Sequence, residues 1–173
     1  QLGSAAVLGA RSGQLRARRV RGLVVYSEIV PCDITAEEGG GLAPAAILLS
    51  GGPASVDAED APSIDPGIFE LGIPVLGFCY GQQIMAVTLG GTVGHTEKGE
   101  YGAAPLTRRD EGTSLLYGET PVQQPGWTSH RHPGAEAPAG FPVEASAALC
   151  PGASTAHAGR PLYATQPHPT LRA

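Results

Sequence analysis

Apolar residues in the first half of the chain occur in short continuous runs bounded by Gly or Pro. Runs of about four to eight such residues are typical of strands that are buried on both faces. The runs predict strands at residues 5–8, 23–30, 45–49 and 74–78. Helix-forming stretches between them predict helices at residues 14–22, 64–71 and 82–89. Buried strands linked by helices indicate an α/β fold with a parallel sheet covered by helices.

One predicted helix begins with a favourable capping pattern but continues into residues that disfavour a helix. Thr35-Ala36-Glu37-Glu38 has the pattern of a capped helix start. Gly39-Gly40-Gly41 follows directly, and each glycine costs about 1 kcal/mol relative to Ala in a helix interior. We therefore expect this helix to break at the glycines.

The second half of the chain has a different pattern. Short β-like segments lie between Gly- and Pro-rich turns, at residues 103–107, 122–127, 143–149 and 161–165. They predict antiparallel strands appended to the sheet. Repeats are absent from the sequence, and no linker is long enough to separate two domains, so the prediction is a single domain over residues 1–173.

Composition and charge exclude several classes of protein. The net charge is −5 and the isoelectric point is near 5.5, which argues against a general nucleic-acid binder. The basic run at residues 16–21 is local and is interpreted as a solvated helix face; the alternative is an anion-binding site. None of the apolar runs approaches the ~18 residues of a membrane span, so no membrane partner is expected. The three cysteines form no C-x-x-C pair, which indicates neither disulfides nor zinc and favours a reducing, cytoplasmic location.

The strongest chemical pattern lies where a predicted strand meets a predicted helix. Cys79 occupies this junction, with Gly77 and Gly81 on either side. A sharp strand-to-helix turn exposes the residue at the turn, and flanking glycines let the two elements approach closely. The helix N-terminus should lower the thiol pKa, and the N–H of Tyr80 is placed to donate to an oxyanion. Cys79 is therefore the candidate nucleophile; the alternative is a buried, inert cysteine.

A second pattern, Ser50-Gly51-Gly52-Pro53, follows the strand predicted at 45–49. The carboxyl ends of parallel strands lie at the same edge of a sheet, where ligands bind. This loop could therefore turn a backbone N–H toward Cys79. The alternative is an ordinary tight turn.

His168, in Gln166-Pro167-His168-Pro169-Thr170, is the candidate acid–base group, since a thiolate nucleophile usually needs a histidine partner. The alternative is a surface histidine near the C-terminus. Four other histidines compete for the role: His95, His130, His132 and His157. His130 and His132 could be mistaken for a metal pair, but no third ligand stands out, so no metal site is predicted.

Together and in this order, the three patterns resemble the class I (triad) glutamine amidotransferases, and within them the glutaminase domains of the GMP synthases. The resemblance extends over nearly the whole chain and is most specific from Ile47 to Gly91. It implies a flavodoxin-like, mostly parallel α/β sheet with an appended antiparallel region. We expect a single amidotransferase domain, complete or truncated at its C-terminus, with no ATP pyrophosphatase domain within residues 1–173.

The resemblance also implies roles by position. Cys79 would attack the carboxamide carbon of glutamine, releasing ammonia and leaving a glutamyl thioester that water hydrolyses. Gly52 and Tyr80 would supply the oxyanion-hole N–H groups, and His168 would move the proton.

Substrate binding and partners follow from the same resemblance. Gln83 would hold the amino-acid end of glutamine, together with backbone near Ser129 and His130. Ammonia would pass to a synthetase (ATP pyrophosphatase) domain or subunit that adenylates xanthosine monophosphate. ATP and Mg²⁺ would belong to that partner, so no cofactor is expected in this chain.

An active glutaminase is the first hypothesis, and departures from the family pattern support a second. Thr170 stands where the triad has Glu, and Pro167 stands where the family has an aromatic residue. A neutral hydroxyl cannot stabilise an imidazolium as a carboxylate does. The site could thus be a weakened Cys/His dyad, or the chain a non-catalytic binding or regulatory module. A peptidase on the same fold is a third hypothesis, but it gives Gln83 no role.

Overall fold

A computed structural model describes residues 4–8, 13–50, 56, 61–94, 100–109, 115–130, 135–148 and 150–169. Within these ranges, the side chains of residues 4, 15, 100–104, 127–130, 135, 136, 168 and 169 are outside the description.

Three α-helices and one 3₁₀-helix are described. They are α1 (Gly13–Gly22), α2 (Ala36–Gly41), the 3₁₀-helix (Pro66–Glu70) and α3 (Tyr80–Thr88). The first half of the described chain contains the strands β1 (Ser4–Leu8), β2 (Tyr26–Val30), β3 (Ala46–Leu49), β4 (Val75–Phe78) and β5 (Thr92–Val93). The second half contains β6 (Glu100–Arg108), β7 (Gln123–His130), β8 (Ala135–Glu136), β9 (Val143–Ala147), β10 (Cys150–Ala156), β11 (Leu162–Thr165) and β12 (His168–Pro169).

Ten of the strands form one sheet in the order β12-β7-β6-β9-β10-β11-β4-β3-β1-β2. The strands from β2 to β11 in this order run parallel to their neighbours. The strands from β11 to β12 pair antiparallel. The predicted α/β fold with a parallel sheet and an antiparallel extension is therefore confirmed. Strands β5 and β8 form a separate two-stranded sheet.

The core explains why the first-half strands have continuous apolar sequences. Ile47, Val75 and Leu162 come from three neighbouring strands and are at most 1% exposed. They belong to one cluster with Met85 of α3. The opposite face is also covered, because Val7 of β1 lies against Gly13 at the start of α1. A sheet covered on both faces requires apolar residues at successive positions.

The predicted strand at 23–30 is shorter in the structure and begins at Tyr26. Leu23 and Val24 instead form a turn at the end of α1, donating to the carbonyls of Val20 and Arg21 at 3.0 and 2.9 Å. Val24 has a φ of 62°, which no strand residue adopts. β propensity alone does not detect this turn.

The expected break at Gly39-Gly40-Gly41 is wrong, because α2 continues to Gly41. A capping box between Thr35 and Glu38 starts the helix. A Cβ added at Gly39 would lie 2.9 Å from Cδ1 of Ile68 in the 3₁₀-helix. The small residues therefore let α2 approach this element closely, and packing offsets the propensity cost.

The helix predicted at 64–71 is instead the shorter 3₁₀-helix. Asp65 caps it by accepting from the N–H of Gly67 at 2.9 Å. The same carboxylate accepts from the N–H of Ala36 at 2.7 Å, which joins the 3₁₀-helix to α2. These two backbone donors lower the pKa of Asp65 below its ordinary value.

The second half differs from the prediction at two strands. β11 was expected to be antiparallel, yet it pairs parallel with β4 and antiparallel with β10. β10 was not predicted. It contains Pro151 and Gly152, which weaken a strand pattern, and it is the strand that joins β11 to the antiparallel region.

The antiparallel region curls back on itself. β12 is the far edge strand of the sheet order, yet only Gln166 and Pro167 separate it from β11. Three residues span at most about 11 Å, so the two strands must lie close together. An open pocket of about 230 Å³ lies here, lined by Phe78, Thr165 and Pro167, among others.

Within the described part of the chain, no helix has both the length and the apolar character needed to cross a membrane.

Candidate active site

Cys79 occupies the turn between β4 and α3, as the sequence predicts. β4 ends at Phe78 and α3 begins at Tyr80. Cys79 has φ 52° and ψ −106°, a conformation that L-residues rarely adopt. Holding a non-glycine residue there costs about 1–3 kcal/mol, and such strain is concentrated at functional sites. The Cys79 carbonyl accepts from the N–H groups of Gln82 and Gln83 at 3.0 and 3.1 Å, which fixes the turn to the helix.

The two glycines permit this geometry by leaving space for backbone. A Cβ at Gly77 would lie 2.6 Å from the carbonyl oxygen of Gly81. A Cβ at Gly81 would lie 2.3 Å from the carbonyl oxygen of Leu49, at the end of β3. Neither distance is compatible with a side chain. The predicted reason for the flanking glycines is therefore confirmed.

Three groups surround the Cys79 sulfur. The N–H of Tyr80 donates to it, and the Gln166 carboxamide nitrogen lies 3.4 Å away. The Arg16 guanidinium adds a positive charge. Burial nevertheless raises the pKa of Cys79 above its ordinary value and outweighs all three. The expected lowering of this pKa is therefore wrong for the described site, because burial raises the pKa by more than Tyr80, Gln166 and Arg16 together lower it.

The sequence patterns predict no role for Gln166, which lies two residues before His168. It is fully buried, and its backbone N–H donates to the carbonyl of Ala153 at 2.7 Å. The N–H of Cys79 donates to the carbonyl of Thr165 at 2.9 Å. Backbone hydrogen bonds therefore hold Gln166 beside the sulfur.

Arg16 corrects the interpretation of the basic run as a solvated face. Arg18 and Arg19 are exposed, as predicted. Arg16 is half-buried, with its guanidinium carbon 4.7 Å from the centroid of the Phe78 ring, a cation–π contact. It also donates to the hydroxyl of Ser50. Burial lowers the pKa of Arg16, and Cys79 opposes this shift.

Ser50 marks where the predicted oxyanion loop begins. It is buried at the end of β3, and its N–H donates to the carbonyl of Leu8 at 2.8 Å. Since Gly81 contacts Leu49, this strand end lies beside the first turn of α3. The loop therefore starts at the correct edge of the sheet, whereas Gly52 lies outside the described residues.

The backbone of His168 is described, but its side chain is not. His168 pairs with Trp127 in β7. Thr165, three residues earlier, accepts from Cys79, so the His168 backbone is held near the nucleophile. The distance between the sulfur and the imidazole remains a prediction, and Thr170 lies outside the described residues.

The predicted substrate-binding residues are placed in part. Gln83 is buried in the first turn of α3. Ser129 and His130 lie at the end of β7, paired with Tyr101 and Glu100. β7 also pairs with β12, so their backbone lies on the strand next to His168. The side chains of Ser129 and His130 are outside the description.

His157 has a structural role instead of a catalytic one. Its Nδ1 accepts from the N–H groups of Gly159 and Arg160 at 2.9 and 3.0 Å. Its ring packs edge-on against Phe141, with centroids 5.0 Å apart. Of the other competing histidines, His95 and His132 lie outside the described residues. Where the structure describes the chain, no three His, Cys, Asp or Glu residues are grouped as a metal site requires.

Comparison with known proteins identifies relatives across nearly the whole chain. The family model for glutamine amidotransferase class-I matches residues 10–172. A GMP synthase [glutamine-hydrolyzing] from Streptomyces avermitilis is 51% identical over 163 residues, which is 94% of this chain and 31% of the relative. The corresponding protein from Thermobifida fusca is 48% identical, with 94% of this chain and 30% of the relative covered. The chain thus spans about a third of the length of these curated relatives.

Solved structures show the same fold. A protein from Thermoplasma acidophilum, described as one of the subunits of GMP synthase, superposes with a TM-score of 0.85 at 28% identity, covering 99% of this chain and 86% of the other. A glutamine amidotransferase from Thermotoga maritima superposes with a TM-score of 0.76 at 15% identity, covering 97% and 76%. The second likeness concerns the fold alone.

Proposed function

This chain belongs to the class-I glutamine amidotransferase family, and we propose that it hydrolyses glutamine to glutamate and ammonia through a thioester on Cys79. The strained turn at Cys79 carries the proposal. It holds the thiol at the start of α3, beside the N–H of Tyr80 and close to the backbone of His168. A buried, inert cysteine needs no strained backbone.

The reaction has two steps, formation of the thioester and its hydrolysis. His168 takes the proton of the Cys79 thiol. The thiolate attacks the carboxamide carbon, and the carbonyl oxygen becomes an oxyanion that accepts from the N–H groups of Tyr80 and Gly52. The carbon–nitrogen bond then breaks, and the nitrogen leaves as ammonia with a proton from His168. Water attacks the thioester and gives a proton to His168, which returns it to the departing sulfur, so that glutamic acid and the free thiol are released.

A synthetase partner would use the ammonia. The curated relatives are named as GMP synthases that hydrolyse glutamine, and this chain covers about a third of each. We therefore propose that an ATP pyrophosphatase domain or subunit consumes the ammonia in making GMP from xanthosine monophosphate. ATP and Mg²⁺ would bind that partner.

Ammonia release tests the proposal. With glutamine, the native chain should release ammonia, measured in a coupled glutamate dehydrogenase assay with and without a synthetase partner. Cys79→Ala should abolish release, because it removes the nucleophile. Cys32→Ala is the control for loss of a thiol elsewhere. Cys32 lies in the turn after β2 and acts on the Tyr80 phenol, not on the sulfur of Cys79, so this variant should retain most of the rate. Acid-quenched native protein should carry a glutamyl adduct on Cys79 by mass spectrometry.

The alternative, a binding or regulatory module, rests on sequence departures such as Thr170 in place of the triad Glu, and the relatives do not favour it. The two are separated by measuring glutamine binding by calorimetry beside the ammonia assay. Binding without ammonia release, even with the partner present, would contradict the enzyme and support the module. Thr170→Glu should raise the rate of an active enzyme, because a carboxylate stabilises the imidazolium of His168.

A further inference from the structure

The contact between Gln166 and Cys79 is the least expected feature of the site. The two residues are 87 positions apart in sequence, yet the carboxamide nitrogen lies 3.4 Å from the sulfur. Hydrogen bonds to sulfur are longer than those to oxygen, because the radius of sulfur is larger. The contact is therefore a direct interaction with the atom that attacks the substrate.

Backbone structure determines this contact. β4 and β11 pair in parallel with Phe78 opposite Thr165, so the next residues along the two strands are Cys79 and Gln166. Hydrogen bonds from Cys79 N–H to Thr165 and from Gln166 N–H to Ala153 fix both backbones. The carboxamide is thus oriented before any substrate binds, as an efficient electrostatic stabiliser should be.

The oxygen end of the same side chain adds no hydrogen bond that would explain why Gln166 is buried. Gln166 is 0% exposed, and its Oε1 has no hydrogen-bond partner among the residues that the structure describes. A buried polar atom without a partner is destabilising, and a catalytic role is one of the reasons such groups persist. A thiolate accepts hydrogen bonds and cannot donate one, so the NH₂ end of the carboxamide suits the reactive form.

We propose that the Gln166 carboxamide is a catalytic hydrogen-bond donor that stabilises and orients the Cys79 thiolate. The inference rests on the proposed nucleophilic role of Cys79. It adds a side-chain donor to the Tyr80 N–H, which also donates to the sulfur. Stabilising the thiolate is needed here because burial opposes its formation.

The test compares two buried glutamines. Gln82 is 2% exposed, its Nε2 donates to the Gly152 carbonyl at 3.1 Å, and its Oε1 also has no partner among the described residues. It differs from Gln166 in lacking the contact to sulfur. Gln82→Met and Gln166→Met therefore remove the same groups from similar surroundings, and the difference between them isolates the sulfur contact.

The readout is the pH dependence of Cys79 alkylation by iodoacetamide, followed at Cys79 by mass spectrometry of the digested protein. Gln166→Met should move the midpoint up by about one pH unit and slow alkylation at neutral pH roughly tenfold. In Gln82→Met both quantities should stay at the native values. Equal midpoints in the two variants would overturn the inference, whether or not the chain hydrolyses glutamine.

A second measurement leaves Gln166 unchanged and does not depend on the folding of its variant. In the native protein, the side-chain ¹⁵N resonance of Gln166 should titrate with the alkylation midpoint, and Cys79→Ala should remove that titration. The Gln82 resonance should not respond. A Gln166 resonance that ignores the state of Cys79 would contradict the proposal. Titration without ammonia release would sustain the hydrogen bond from Gln166 to the thiolate, while refuting the glutaminase and with it the catalytic role of the bond.

Discussion

At the residue scale, the site balances burial against nearby positive charge and hydrogen-bond donors. Burial favours the neutral thiol of Cys79, whereas thiolate chemistry needs the charged form. Arg16 supplies the opposing charge from α1, and its contacts with Phe78 and Ser50 hold the guanidinium at this edge of the sheet. The residue thus connects α1 to both strand ends that build the site.

Replacing Arg16 should make the thiolate harder to form. Arg16→Met removes the charge, so the pKa of Cys79 should rise further, and the thiolate fraction at any pH below the midpoint should fall. We expect the alkylation midpoint to move up by about half a pH unit, roughly a threefold loss of rate at neutral pH. Arg19→Met removes the same charge from an exposed position of the same helix and should change neither quantity. Equal effects of the two variants would mean that Arg16 acts only through net charge.

Sequence patterns predicted the residues whose role is local and missed those whose role depends on register. The turn at Cys79 and the need for Gly77 and Gly81 follow from adjacent residues. The position of Gln166 depends on how β11 pairs with β4, which no local pattern determines. Arg16 belongs to a run of similar arginines, and only packing distinguishes the one that faces Phe78.

At the element scale, the junction of β3, β4 and α3 has no space for an additional carbon. Gly81 is in contact with the backbone of β3, and Gly77 with the backbone of α3. Backbone atoms cannot rotate away as a side chain does. The approach of these three elements therefore depends on both glycines.

Gly81→Ala should consequently destabilise the protein and displace Cys79. The added methyl group would lie 2.3 Å from the Leu49 carbonyl oxygen, and overpacking of this kind costs about 1–3 kcal/mol or more. Gly41→Ala, at the end of α2 with nothing within 4 Å, is the control and should be neutral or stabilising by up to about 1 kcal/mol. Urea unfolding and Cys79 alkylation report the two effects. A Gly81→Ala protein that is as stable and as reactive as the control would contradict the close packing of β3, β4 and α3 at this glycine.

Elements with strong local signals were predicted well, and elements stabilised by packing were not. Continuous apolar runs identified β3 and β4 to within one residue. α2 forms despite the low helix propensity of its glycines, because Gly39 packs closely against the 3₁₀-helix. β10 has a weak pattern, yet it is hydrogen-bonded on both sides in the centre of the sheet.

At the scale of the whole molecule, β11 joins the two halves of the sheet. It pairs with β4 of the parallel half and with β10 of the antiparallel half. Leu162 of β11 is 1% exposed and belongs to the main core. Neither half therefore has a complete set of strand partners without the other.

One cooperative unfolding transition is therefore expected. All three α-helices of the described chain lie within residues 13–88, so the helical circular dichroism signal reports the parallel half. The single tryptophan, Trp127, lies in β7, so its fluorescence reports the antiparallel half. The two urea curves should coincide, as they do when one cooperative unit unfolds.

Leu162→Ala tests whether β11 is the shared element. Truncating a buried leucine costs about 2–5 kcal/mol, and both urea curves should move to lower concentration by the same amount. Leu115, which is 84% exposed, provides the control, and Leu115→Ala should move neither curve. If the helical signal shifted while the fluorescence stayed in place, the halves would be separate folding units, and the predicted single domain would be wrong. Equal shifts would mean that the strand carrying Thr165 and leading to Gln166 and His168 is formed only when the whole sheet is formed, so the active site would depend on the stability of both halves.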